Sequence, residues 1–300
     1  MTDVVGHTGS ALSVPPTVKS ADAAPVVKRR RRRRDYGAPL GAVWLGLVVV
    51  GAITADWLPL ADPNEIGNVF SATPGLGDHL LGTDILGRDI LSRCVYGARI
   101  SMAVGLGATA LAMVVGVAFG MAAGYFRGAV DSTISLFVNF LMAFPPLMFL
   151  IALVAAMRPS LTNLVLGLAL LGIPNFARIA RANTIAFAER EFVTASKALG
   201  ASPFRVLTRE LLANVMLPVM SLMLVVMAAL VVAEGSLSFL GLGVPPPTPS
   251  WGGMLADGRS QMNEHPHLVM IPGLFFFLTV FAFNRLGDWA RGRIGRESSL

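Results

Sequence analysis

Few side chains in this 300-residue chain have the chemistry and spacing to make or break bonds. The four histidines are His7, His79, His265 and His267, and none lies inside a long apolar run. Hydrolysis needs a nucleophile and a base within hydrogen-bond reach, and the sequence pairs none. No His-Glu-x-x-His helix is present to hold zinc, and His265-Pro266-His267 supplies two nitrogens at most. The single cysteine, Cys94, excludes an intrachain disulfide and a cysteine-built metal site. None of the three lysines (Lys19, Lys28, Lys197) closes a Gly-x-x-x-x-Gly-Lys-Ser/Thr phosphate loop. The chain reads as a non-enzyme, with no metal and no cofactor of its own.

The remaining polar patterns suit binding and force transmission. Residues 189–218 read as helix, break, helix. Phe192 to Leu199 suit a helix of about three turns, and Gly200 stands where a helix commonly ends in a left-handed residue. Ser202 then stands at an N-cap and Pro203 at the first helical position. Phe204, Leu207, Leu211 and Leu212 continue one apolar side, so a short amphipathic helix is expected to project from the membrane and dock into a partner's groove. Elsewhere, Asp84, Arg88, Asp89 and Arg93 place opposite charges four apart, which on a helix forms two self-paired couples on a solvated face. The Pro245–Pro249 run is stiff, and Trp251 after it fits an interfacial anchor. Asn139 and Glu234 are the polar groups inside or at the end of apolar runs, hence candidates for a translocation path.

These groups need elements to hold them, and composition says which. Hydrophobic residues make up 54% of the chain and charged residues 14%, with a mean hydropathy of +0.65; soluble domains carry about 25% charged residues. A span needs about 20 mostly apolar residues, and six are legible: 40–58, 101–126, 133–157, 161–179, 215–233 and 268–286. The expected class is an all-α integral membrane protein. Pro145-Pro146 should kink the third span. Gly116, Gly120 and Gly124 form two overlapping Gly-x-x-x-Gly pairs, which let helix backbones approach closely, within this bundle or against a second subunit. Residues 1–36 are rich in Ser, Thr, Ala, Pro and Arg and read as a disordered basic tail. The apolar stretch after it could pass for a signal peptide, but the long tail before it and the spans after it favour an uncleaved first span.

Charge sets the orientation. Arg29 to Arg34 precede the first span. Such a block can bind nucleic acid, but beside a span it fixes the terminus in the cytoplasm and touches anionic lipid. With the N-terminus inside, nineteen basic residues fall inside and five outside (Arg88, Arg93, Arg99, Arg158 and Arg259). Both termini are then cytoplasmic, including the tail 291–300. The organisation is a first span with its outer segment over 37–100 and a core of five spans over 101–290. The loop at about 178–213 is cytoplasmic.

Glu191-Phe192-Val193-Thr194-Ala195-Ser196-Lys197-Ala198-Leu199-Gly200-Ala201-Ser202 resembles the EAA loop of ABC importer permeases. Two departures are plain: Thr194 stands where the motif's Glu usually is, and Ser196 replaces its second Ala. Leu81 to Arg93, continuing through Gly97 to Ser101, resembles the segment before the second span of dipeptide and oligopeptide permeases. Leu237 to Gly252 resembles their segment after the fifth. The likeness covers roughly 36–290 and points to the C-type subunit. It implies a type I ABC importer permease fold, a coupling helix seated in an ATPase cleft, and alternating access. The coupling residues would be Glu191, Phe192, Thr194, Ala195, Ser196, Lys197, Ala198, Leu199, Gly200, Ala201, Ser202 and Phe204. The partners would be a second homologous permease, one or two ATPase subunits carrying ATP and Mg, and an extracytoplasmic solute-binding protein. Asp84, Arg88, Asp89, Arg93 and Trp251 are candidates for docking that protein. Di- or oligopeptides are the implied cargo, with nickel, glutathione or a haem-like solute as alternatives. An ion-driven carrier or channel is the rival class, and it leaves the docking loop without a job.

Overall fold

The computed structural model describes residues 37–75, 79–156 and 160–297, with side chains as far as 293. The basic tail 1–36, Arg158 and the end of the third span at Met157 lie outside the described residues. Ten α-helices follow one another: α1 (Gly37–Thr54), α2 (Ile90–Phe126), α3 (Gly128–Ala143), α4 (Pro146–Ala156), α5 (Leu161–Ala188), α6 (Glu191–Ala198), α7 (Pro203–Arg205), α8 (Leu212–Phe239), α9 (Trp251–Gly258) and α10 (His267–Glu297). A π-helical stretch, Val206–Leu211, joins α7 to α8 without a break. Among the described residues there is no strand, only an isolated bridge between Thr83 and Asp89.

Five helical rods are long and apolar enough to cross a membrane: α1, α2, α5, α7 through α8, and α10. The pair α3–α4 makes the sixth span, bent by 92° at Phe144-Pro145. The expected kink is thus a sharp break. Proline disfavours the helical region for its predecessor, and Phe144 is extended (φ −91°, ψ 140°). Several helices outrun the apolar runs. α2 begins at Ile90, so residue 100 is mid-helix and marks no domain boundary. α5 runs on to Ala188, and α10 carries the helix into the 291–300 tail.

The core is the pairing of α2 with α5. A Cβ on Gly116 would lie 2.7 Å from the Ile173 carbonyl oxygen, and one on Gly124 would lie 2.8 Å from that of Arg181. Gly120 meets the Ala177 carbonyl in the same row. The glycine ladder therefore packs this chain's own bundle. α8 completes the core through Val215, Val219, Val226 and Leu230. α1 lies on α10, where Gly41 abuts Ala282 and Trp44 Nε1 donates to Thr279 Oγ1 at 3.0 Å. The passages alternate, so α6 and α7 lie at one end of the bundle and the segments 55–75, 79–89 and 240–266 at the other.

Candidate coupling surface and translocation face

At the first end, the chain turns from α6 into α7 through a fully formed cap. The Gly200 N–H donates to the Lys197 carbonyl at 3.0 Å and the Ala201 N–H to that of Ser196 at 3.1 Å. This is the Schellman arrangement, which requires a left-handed residue, and Gly200 has φ +82°. Ser202 Oγ accepts from the Arg205 N–H at 3.4 Å, with Pro203 at the first helical position. Glu191 in the first turn of α6 and Lys197 in its last suit the helix dipole. Lys197 also sits over the Tyr125 ring, 5.0 Å from its centroid.

This unit is rooted from below and bare on top. Val193, Val206 and Leu211 are fully buried in the main core. Leu199 is 89% exposed and Phe204 76%. Phe192 and Ala195 are exposed too, as are Thr194 and Ala198, whereas Ser196 and Ala201 are half-buried. Burying a Leu or Phe fully is worth about 1.5–3 kcal/mol, so two bare side chains held by a rigid turn suit an absent partner. Thr194 spends its hydroxyl on the Arg190 carbonyl at 3.4 Å. The structure corrects one expectation: α7 is no separate projecting helix but the first turn of the rod that becomes α8. α6, at eight residues, is also shorter than three turns.

At the other end, the charged segment is not a solvated helix. Asp84 opens a tight turn, its Oδ1 accepting from the N–H groups of Leu86 and Arg88, both at 2.9 Å. Gly87 in that turn has φ +77°. Asp84 pairs with Arg88 at 2.7 Å as expected, but Asp89 and Arg93 do not pair. Asp89 caps α2, accepting from the Ser92 N–H at 2.7 Å, and faces His79 at 3.0 Å. Arg93 turns to Asp84 (3.4 Å) and Asp257 (3.9 Å), and Arg88 reaches Asp257 at 3.4 Å. Asp84, Arg88, Asp89 and Arg93 are all buried, so they brace the outer segment from within. Burial pushes the Asp257 carboxyl up from its ordinary value, against the pull of Arg88 and Arg93. Trp251 is corrected likewise: it is wholly buried, and its Nε1 donates to the Cys94 carbonyl at 3.0 Å. It is not an interfacial anchor, and none of the five offers an exposed face to another protein.

Between the ends lies a face with two recesses. One, of about 1000 Å³, opens at the α3–α4 bend and is lined by Met142, Phe144, Pro174, Asn175, Leu222 and Val226 among others. The second, of about 550 Å³, lies between α2, α3 and α5 and includes Asn139, Arg178 and Arg181. Asn139 thus lines a recess. Glu234 does not: it is fully buried and its Oε1 accepts from Ser238 Oγ at 2.7 Å. Small neighbours, Gly235 and Gly252, leave room for this packing. Two residues escaped the sequence reading. Asp257 gave no signal, being remote in sequence from the arginines it joins. Arg178 read only as one of the basic residues of the cytoplasmic side, and the packing of α5 beside α2 and α3 is what puts it on a recess. Among the described residues no three metal-binding side chains come together.

Six spans around a close-packed helical core, with a bare apolar turn at one end and braced loops at the other, define an all-α integral membrane protein. Residues 116–297 match the family described as binding-protein-dependent transport system inner membrane component, and the chain belongs to that family. It is a permease subunit of an ABC importer in the cytoplasmic membrane, not an enzyme, working with a separate ATPase and a binding protein. A chain of Brucella suis biovar 1, provisionally named a peptide transport system permease protein, is 34% identical over 97% of this chain and 96% of its own. The glutathione transport system permease protein GsiD of Escherichia coli O6:K15:H31 is 37% identical over 87% of both chains. Among solved structures, an inward-facing MetNI methionine ABC transporter matches with TM-score 0.52 and 17% identity, over 66% of this chain and 96% of that one. An amino acid ABC transporter with histidines matches with TM-score 0.52 and 13% identity, over 68% and 94%. At those identities the likeness concerns the fold.

Proposed function

We propose that this chain forms half of the translocation path for di- and oligopeptides, glutathione included, beside a second homologous permease. The α6–Gly200–α7 unit seats in a cleft of the ATPase, and Glu191, Phe192, Thr194 to Ser202 and Phe204 are its contact residues. One or two ATPase chains hold the ATP and Mg. Closure of the ATPases drives the knob, and the continuous rod α7–α8 carries that movement into the span. The observation that carries this reading is the pair of bare side chains, Leu199 and Phe204, on a turn rooted in the core. Coupling requires differential contacts in two states, and a rigid lever supplies them.

Both termini are cytoplasmic. The α6 end bears Arg127, Arg190, Lys197, Arg205, Arg209, Arg285, Arg291 and Arg293, as the positive-inside rule asks. At the other end Arg88, Arg93 and Arg99 are tied to aspartates. The binding protein docks on that braced end, with the buried cluster shaping the surface rather than touching the partner. The peptide reading draws on the names of the relatives. A gentle-detergent pull-down of the tagged chain tests the assembly. A second permease, ATPase chains and a binding protein that retains peptides are expected. Recovery of the chain alone, with transport surviving in ATP-free vesicles, would overturn the reading.

A further inference from the structure

Arg178 stands in α5 three residues before Arg181, towards the α6 end of the bundle. Arg178 is exposed and lines the 550 Å³ recess with Gly120, Ser135, Asn139 and Arg181. The other charges there are spent on each other. Arg181 Nε and Nη2 donate to the two oxygens of Asp131, each at 2.6 Å. Ser135 Oγ donates to the same carboxylate at 3.1 Å. Arg178 has no ion pair or hydrogen-bonded side-chain partner among the described residues. The recess therefore carries one uncompensated guanidinium with an exposed amide, Asn139, beside it.

The two recesses share a face. Met142 and Asn175 line the larger one, three residues from Asn139 and Arg178 on the same helices. Residues three apart on a helix lie one above the other. An apolar chamber thus leads along α3 and α5, towards the α6 end, to a fixed positive charge.

We infer that Arg178, with Asn139, is a binding point for a carboxylate of the transported solute. This rests on the peptide reading above. A guanidinium offers parallel donors that match the two oxygens of a carboxylate, and every peptide with a free C-terminus, glutathione included, brings one. A bare divalent cation would be repelled, which sets nickel apart. A lipid phosphate offers the same chemistry from a second source, and the test separates the two.

The assembled importer carrying Asn139→Cys is placed in liposomes of neutral lipid. Its cysteine is modified with anionic and cationic methanethiosulfonates of similar size. The native Cys94 is fully buried and gives little background. The anionic reagent should react about tenfold faster, since a charged cleft concentrates counter-ions. Adding Arg178→Gln should abolish the preference, and a free peptide should protect where its C-terminal amide does not. Equal rates, no modification, or a preference untouched by Arg178→Gln would overturn the inference. So would suppression of the preference by anionic lipid without protection by peptide, because the occupant is then lipid. Transport gives a second readout. With saturating, fully loaded binding protein, Arg178→Gln should slow a peptide acid about tenfold relative to its amide. Equal loss for both would overturn the specificity role. If the unaltered importer moves no peptide, the peptide reading fails, while the labelling still decides whether the recess holds carboxylates.

Discussion

The two ends of the bundle use side chains in opposite ways. At the loop end, charged residues are inside: Asp84, Arg88, Asp89 and Arg93 are buried, and the indole of Trp251 is sealed against α2. At the α6 end, apolar residues are outside: Leu199 and Phe204 stand bare on a capped turn. One end is internally complete and can present a fixed shape. The other leaves two apolar side chains uncovered, which is what the proposed ATPase contact requires. Burial, not residue type, distinguishes a brace from a contact.

Substitutions at the two ends should therefore fail differently. The largest loss of stability is expected at the brace. Asp84→Ala leaves the buried Arg88 and Arg93 with only the longer contacts to the half-exposed Asp257, and breaking a buried pair costs about 3–5 kcal/mol. A thermal melt of the purified complex should show it, and an unshifted melt would mean that the cluster is not a brace. Gly200→Val comes next. Its Cβ would meet nothing, so the cost is the left-handed backbone alone, about 1–2 kcal/mol. The complex should assemble while ATP-driven uptake falls sharply; normal uptake would dissociate the Schellman turn from coupling. Phe204→Ala should leave stability within about 0.5 kcal/mol, as for surface positions. Co-purification of the ATPase should nonetheless drop, and undiminished recovery would move the contact elsewhere.

The smallest effect sits at the exposed rim of the braced end. Arg99 Nη2 donates to Asp56 at 2.7 Å, and with Tyr96 it holds that carboxyl below its ordinary value. A depressed carboxyl stabilises the fold above its unfolded pKa, and the benefit fades as pH falls through the folded one. Asp56→Asn should flatten that acid limb slightly and leave neutral pH nearly unchanged. A large neutral-pH shift would show that rim and buried cluster act as one.

Much of this was legible in the sequence because it is local. The Gly200 cap, Ser202 and Pro203 depend on neighbours a few residues away, and they fall where the residue types put them. The break at Phe144 follows from the prolines after it. The brace was misread for the converse reason. Spacing of four suggests helical pairs, but Asp84 caps its own turn and the second carboxylate, Asp257, arrives from α9. Glu234 looked like a path residue at a helix end, and packing of Ser238 and its small neighbours closed it in.

The sequence by itself determined that the chain crosses a membrane about six times, where the capped turn at Gly200 lies, and which family it resembles. Those properties follow from apolar run length, backbone preference at glycine and proline, and short motifs. The tertiary structure alone decided that the glycine ladder serves α2 against α5, that the charged segment is a buried brace, and that Arg178 faces a recess. Each of these depends on surfaces brought together from distant parts of the chain, which no local period encodes.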